Sequence, residues 1–147
     1  LLDLPEAGSM SSTHSANPLC CAAGLALVNE IDRLDLVSEA ERKGRLLHAG
    51  LDEIQKRFSG RILRRTGKGM LAARFFMECD FASAVVERCM QKGLLTVHTG
   101  CETIKFGPPL TIPDDALLEG LTVIEEAVRE IDCERLGVGL PCSAAAG

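Results

Sequence analysis

Apolar residues fall along this chain in stretches of two rhythms, and each rhythm assigns its stretch to a helix or to a strand. The first stretch, LCCAAGLALV from Leu19, has almost no rhythm. Leu19, Ala22, Ala23, Leu25, Ala26, Leu27 and Val28 would cover nearly every face of a helix. Asn17 is a favoured N-cap and Pro18 a favoured first helical residue, so a helix is predicted over about 18–31. A helix that is apolar all round belongs inside a larger body or at an interface. A lone domain of 147 residues would struggle to surround it.

The second stretch is periodic. Leu47, Leu51, Ile54 and Phe58 recur at 4-3-4 spacing, with Glu39, Glu41, Arg42, Lys43, Asp52, Glu53 and Lys56 elsewhere, which predicts an amphipathic helix over about 37–58 that Gly60 stops. Ile62 and Leu63, then the segment 69–77, read as extended and neighbouring, the latter apolar except for Arg74. Asp80 can cap a helix over 81–91, closed by Gly93. Residues 94–98 and 103–106 read as two short strands around a turn at Thr99 and Gly100, and Pro108 and Pro109 end the pairing. After Pro113, Asp114 and Asp115 favour a helix start, and Leu117, Leu121, Ile124, Val128 and Ile131 give a 4-3-4-3 stripe. The tail GVGLPCSAAAG has no periodicity and is expected to be loose.

This order of elements predicts an α+β fold. Long helices lead into a small antiparallel sheet of three or four strands with helices on one face. No internal repeat interrupts it.

Composition narrows the function. A net charge of −5 gives no long-range attraction to nucleic acid or to an anionic membrane, so neither is an expected partner. Apolar runs stop short of a membrane span, because Asn29 and Glu30 interrupt the longest. Seven cysteines, an odd number without a C-x-x-C pair or a secretory leader, read as reduced thiols in a soluble cytoplasmic protein. His98 and Cys101 are the only spacing that hints at a metal, and without a second ligand pair no zinc site is expected.

Few motifs carry chemistry. GRILRRTGKGM fails as a phosphate loop, since Gly60 lies six rather than four residues before Gly67-Lys68 and Gly69 replaces the hydroxyl. Arg61, Arg64, Arg65 and Lys68 are therefore expected in a solvated turn. Cys20 and Cys21 lie in the apolar helix, where a thiol acts as a small hydrophobe. The stretch SSTHSANP, 11–18, is different: hydroxyls and unpaired amides ahead of a helix can hold an anion. Ordinary loop serines with a capping Asn17 account for it equally well.

Taken together, SSTHSANPLCCAAGLALV, GKGML, KGLLTVHTG and IKFGPPLTIPDDALLEGL resemble the C-terminal portion of class III aminotransferases, pyridoxal-phosphate enzymes that act on ornithine, acetylornithine or 4-aminobutyrate. The resemblance implies that Thr13, assisted by Ser12, binds the phosphate of the neighbouring subunit's cofactor, and hence a homodimer or higher homo-oligomer. It places Lys105 where the family's Arg-Phe-x-Pro-Pro-Leu has the arginine that holds a substrate carboxylate. Lysine there offers a point charge without the bidentate fork. Ala16 stands where many members have glycine.

The resemblance also implies a division of the chain: 1–36 as the end of the large cofactor domain, 37–132 as the C-terminal small domain, and 133–147 as a loose tail. The family's Schiff-base lysine, pyridine-nitrogen aspartate and stacking aromatic match nothing here. The chain is thus expected to be a fragment of an enzyme that moves an amino group from an amino-acid or ω-amino donor to a keto acid, and to be inactive alone. The rival reading is a non-enzymatic small α+β domain that binds a ligand or partner. A fragment of a related mutase, racemase or decarboxylase would carry the same motifs.

Overall fold

The computed structural model of the protein describes residues 16–100 and 102–137. Eight elements follow in the predicted order: α1 (Pro18–Arg33), α2 (Leu36–Arg57), β1 (Ile62–Lys68), β2 (Leu71–Phe76), α3 (Cys79–Gln91), β3 (Val97–Thr99), β4 (Thr103–Phe106) and α4 (Asp114–Leu136). The chain forms two compact units, Leu1–Val37 and Ser38–Gly147.

In the first unit, Asn17 caps α1 as expected. Its Oδ1 accepts from the backbone N–H of Leu19 at 2.9 Å and of Cys20 at 3.4 Å, and Pro18 follows as the first helical residue. Ala16 enters this cap with a left-handed φ of 58°, a conformation glycine adopts without penalty. The described residues leave α1 uncovered, as expected of an apolar helix that a lone chain of this length would struggle to surround. No residue of α1 is buried and Leu19 is 79% exposed, because the described part of its own unit offers no other element to cover the apolar surface.

The second unit is a four-stranded antiparallel sheet, order β1-β2-β4-β3, with a core built on one face. Lys68 pairs with Leu71, so a two-residue loop joins β1 to β2, and Gly69 takes the left-handed φ of 58° that such a hairpin needs at its first position. Helix α2 crosses this turn closely: a Cβ on Gly44 would stand 2.6 Å from the Gly69 backbone. Since side chains alternate along a strand, Ala72, Arg74 and Phe76 share one face with their neighbours Ile104 and Phe106. That face packs on Leu47, Leu51 and Ile54 of α2, Phe81 and Val85 of α3, and the Leu117, Leu121, Ile124, Val128 and Ile131 stripe of α4.

Four details differ from the sequence-based expectations. Arg64, Arg65 and Lys68 lie in β1 rather than in a turn, and Arg61 just before it is held by Asp132 at 2.6 Å and Glu78 at 3.2 Å. Neighbouring elements supply what charge density alone conceals: Arg64 stacks on Phe75 of β2, 3.9 Å from the ring centroid, and Arg65 pairs with Asp52 of α2. Helix α3 begins at Cys79 with Glu78 in the cap position and no side-chain cap bond, leaving Asp80 in its first turn. Of the expected strand over 94–98 only Val97 and His98 pair with β4, and Thr99, expected in the turn, extends the strand. Helix α4 continues past 132 to Leu136, held there by Glu134 on Arg88 at 2.8 Å and Arg135 on Glu78, so the first residues of the expected tail are helical. Residues 138–147 lie outside the described residues.

Candidate functional site

Of the residues singled out in the sequence, Ser12 and Thr13 lie outside the described residues. The described end of α1 bears on them nonetheless. Asn17 already accepts from the amides of Leu19 and Cys20, so that helix end has used on its own cap the donors an anion would need. The capping alternative therefore accounts for Asn17.

Lys105 is placed by β4. It sits opposite Ala73 of β2 and Val97 of β3, on the sheet face away from the core, and is exposed. Its neighbours Ile104 and Phe106 point inward and are buried, which fixes the strand and leaves the lysine facing outward. Beside it opens a cavity of about 350 Å³ walled by Leu95, Val97, Phe106, Pro108, Pro109 and Ile112 among others. Among the described residues, Lys105 is the one charged member of its lining. Thr96 also lines it, with a buried hydroxyl that has no hydrogen-bond partner. An apolar recess with one cation at its edge suits a small carboxylate: the charge meets the ammonium and the carbon chain leaves water.

The connection 107–113 that forms one wall belongs to no strand or helix, and Pro108, Pro109 and Pro113 have no N–H to donate. Helix α2 holds it. Lys43, 7% exposed, donates from Nζ to the Leu110 carbonyl at 3.3 Å. Arg42 donates to both Asp114 oxygens, at 2.7 and 2.8 Å, and to both Glu39 oxygens, at 2.9 and 3.0 Å. These bonds from Arg42 hold the Asp114 and Glu39 carboxyls below their ordinary range, and the two carboxylates raise Arg42 in turn.

Sequence reasoning missed Lys43, although its spacing marks it. Lys43 precedes Leu47, Leu51, Ile54 and Phe58 at the helical spacing of four, so it falls on the apolar stripe itself. The cavity had no such signal, because its walls come from segments that only the tertiary fold brings together. His98 lies in β3, and Cys101 lies outside the described residues.

A small antiparallel sheet with three helices on one face is the α+β arrangement that this chain shares with solved aminotransferases. The chain belongs to the class-III aminotransferase family, whose model matches residues 1–128. It is 35% identical over 120 residues to acetylornithine aminotransferase of Gloeobacter violaceus, covering 82% of this chain and 30% of that protein. Identity is 30% over 124 residues to acetylornithine aminotransferase of Caldanaerobacter subterraneus, covering 84% of this chain and 31% of that one. The solved acetylornithine aminotransferase of Elizabethkingia anophelis superposes with a TM-score of 0.76 at 28% identity, over 85% of this chain and 32% of its own. The chain thus spans about a third of the length of the relatives it matches.

Proposed function

We propose that the chain serves amino-group transfer from an amino-acid or ω-amino donor to a keto acid, as the part of a pyridoxal-phosphate enzyme that supplies a carboxylate contact and lends hydroxyls to a neighbouring subunit. The observation that carries this reading is the placement of Lys105, outward on β4 and alone in charge among the described residues at an apolar recess. Lys105 Nζ would orient a substrate by its carboxylate, as a single point charge rather than a fork. Thr13 and Ser12 would hold the cofactor phosphate of the partner subunit, which requires a homodimer or a higher homo-oligomer. The exposed apolar surface of α1 supports such an assembly. Location in the cytoplasm fits the free thiols of Cys20, Cys21, Cys89 and Cys133, and no described helix is long and apolar enough to cross a membrane.

The described residues do not by themselves make a cradle for the cofactor, since the α1 amides are capped by Asn17 and Lys68 and Lys105 stand on strands without a phosphate-binding loop. When bound in a complete enzyme, pyridoxal phosphate serves as an electron sink for the amino acid's α-carbon. The chain's own share is binding and orientation.

The test is a chimera in which this chain replaces the matching third of the Gloeobacter violaceus enzyme, assayed for keto-acid release. Transfer is expected, and Lys105→Ala should raise KM about tenfold with kcat little changed, since a carboxylate contact distant from the reacting bonds contributes mainly uniform binding. A folded, cofactor-bound chimera whose KM ignores Lys105 would overturn the carboxylate assignment.

A further inference from the structure

We infer that Lys43 is a positioning residue for the Lys105 recess, acting through the connection that forms its wall. This inference rests on the proposed carboxylate role of Lys105 for its functional meaning, though not for its geometry. Lysine is almost never fully buried unless paired, and a side chain of that volume on the apolar stripe of α2 could be replaced by methionine without loss of packing. What only the ammonium provides is a charge-assisted bond to the Leu110 carbonyl at 3.3 Å, supported by Glu39 at 3.7 Å.

The carbonyl it holds lies in the middle of a segment with few other polar anchors. Between Phe106 and Asp114 the backbone closes on itself through a local turn, from Ile112 N–H to the Pro109 carbonyl at 3.1 Å. Arg42 fastens the far end through Asp114. Glu39 accepts from Arg42 and faces Lys43, so two residues of α2, Lys43 and Arg42, hold 107–114 at its middle and its end, with Glu39 tying them together. Pro108, Pro109 and Ile112, which line the recess together with Lys105 and with Leu47 of α2, are then held from that helix. Released from Lys43, the wall has no second polar contact among the described residues to hold the Leu110 carbonyl, and the recess loses its shape beside Lys105.

The experiment compares the full chain with its Lys43→Met and Lys43→Arg variants by amide hydrogen exchange, thermal unfolding and titration with 4-phenylbutyrate as an apolar carboxylate probe. In Lys43→Met, exchange at Ile112 should quicken about tenfold, the loss expected for one bond to a charged donor, while core amides such as Leu51 and Val128 keep their protection. Probe affinity should fall about fivefold with it, and Lys43→Arg, which keeps a donor, should restore part of both. Unchanged exchange at Ile112 would overturn the inference, and so would a uniform loss of protection throughout the core, which would make Lys43 an ordinary stabilising residue. Should Lys43→Met fail to fold, Lys43→Arg still decides: exchange at Ile112 faster than at the core by as much as an unheld turn would show that any donor is not enough, and the inference falls. If the probe fails to bind the unaltered chain while Ile112 responds as expected, the carboxylate role of Lys105 is wrong and the clamp stands.

Discussion

Arg74 is 1% exposed on the core face of β2, where the strand pattern asks for an apolar residue. Its Nη2 donates to Asp52 at 2.9 Å and its Nη1 to the Ala73 carbonyl at 3.0 Å, while Nε has no partner. Burial lowers the Arg74 pKa, Asp52 opposes that shift and Arg65 adds to it, yet an arginine stays charged throughout the working range. Asp52→Ala should therefore leave an uncompensated cation in the core and lower stability by about 3 kcal/mol in urea unfolding. Arg74→Met should be neutral or stabilising by about 1–2 kcal/mol, because it removes the buried charge and leaves Asp52 to Arg65. If both variants lose the same stability, the pair contributes through packing and not through charge.

Cys89 makes stability depend on pH at the alkaline end. Burial pushes its thiol from the ordinary 9.0 up to about 11, with Lys92 opposing weakly. The folded chain then holds the thiol proton where the unfolded chain has released it, so stability is full below pH 9 and falls as pH rises toward 11. The fall should amount to about 2 kcal/mol and vanish in Cys89→Ala. The same burial predicts that a thiol reagent at pH 8 labels exposed Cys20 and Cys21 in the native chain and reaches Cys89 only on unfolding.

Among the elements, α1 and α2 both carry glycine in their interiors, and the sequence treats these alike. The fold does not. Gly24 in α1 has nothing within 4 Å of the place a methyl would take, so Gly24→Ala should stabilise that helix by about 1 kcal/mol. Gly44 lets α2 pass the β1–β2 turn, and Gly44→Ala would drive a methyl into the Gly69 backbone, with an expected loss of about 2 kcal/mol despite alanine's better helix propensity. Circular dichroism during thermal unfolding of the two variants measures both signs. A stabilising Gly44→Ala would mean that the hairpin moves away from α2 readily.

Element type and order were legible because the signals are local: Asn17-Pro18 starts α1, the Leu47 to Phe58 stripe marks α2, and the Leu117 to Ile131 stripe marks α4, whereas the turn at Gly69 was read as part of a strand. The bounds were less so. Whether 94–96 continue β3 depends on a partner strand, and whether α4 runs past Ile131 depends on Arg88 of α3 and on Glu78. Arg64 in β1 reads as solvated from sequence because its partner Phe75 arrives from the neighbouring strand.

At the scale of the whole molecule, the first unit matters for assembly, because no residue of its apolar helix α1 is buried among the described residues. Leu25 and Leu27 are each 63% exposed, and a continuous apolar surface of this kind promotes self-association. Sedimentation should show the chain as a concentration-dependent oligomer, and the double variant Leu25→Glu, Leu27→Glu should shift it toward monomer with the core from Leu47 to Ile131 intact. A chain that stays monomeric at high concentration would favour an independent binding domain over an assembly in which α1 is covered.

Several conclusions about this protein required only its sequence. The α+β order, the capped apolar helix and the family follow from patterns of neighbouring residues, since periodicity and caps are set within a few positions along the chain. Other features were decided by the tertiary structure alone. The recess beside Lys105, the hold of Lys43 on Leu110 and the pairing of Arg74 with Asp52 join residues far apart in the chain, and their energies depend on burial and distance, which exist only once the sheet and helices have packed.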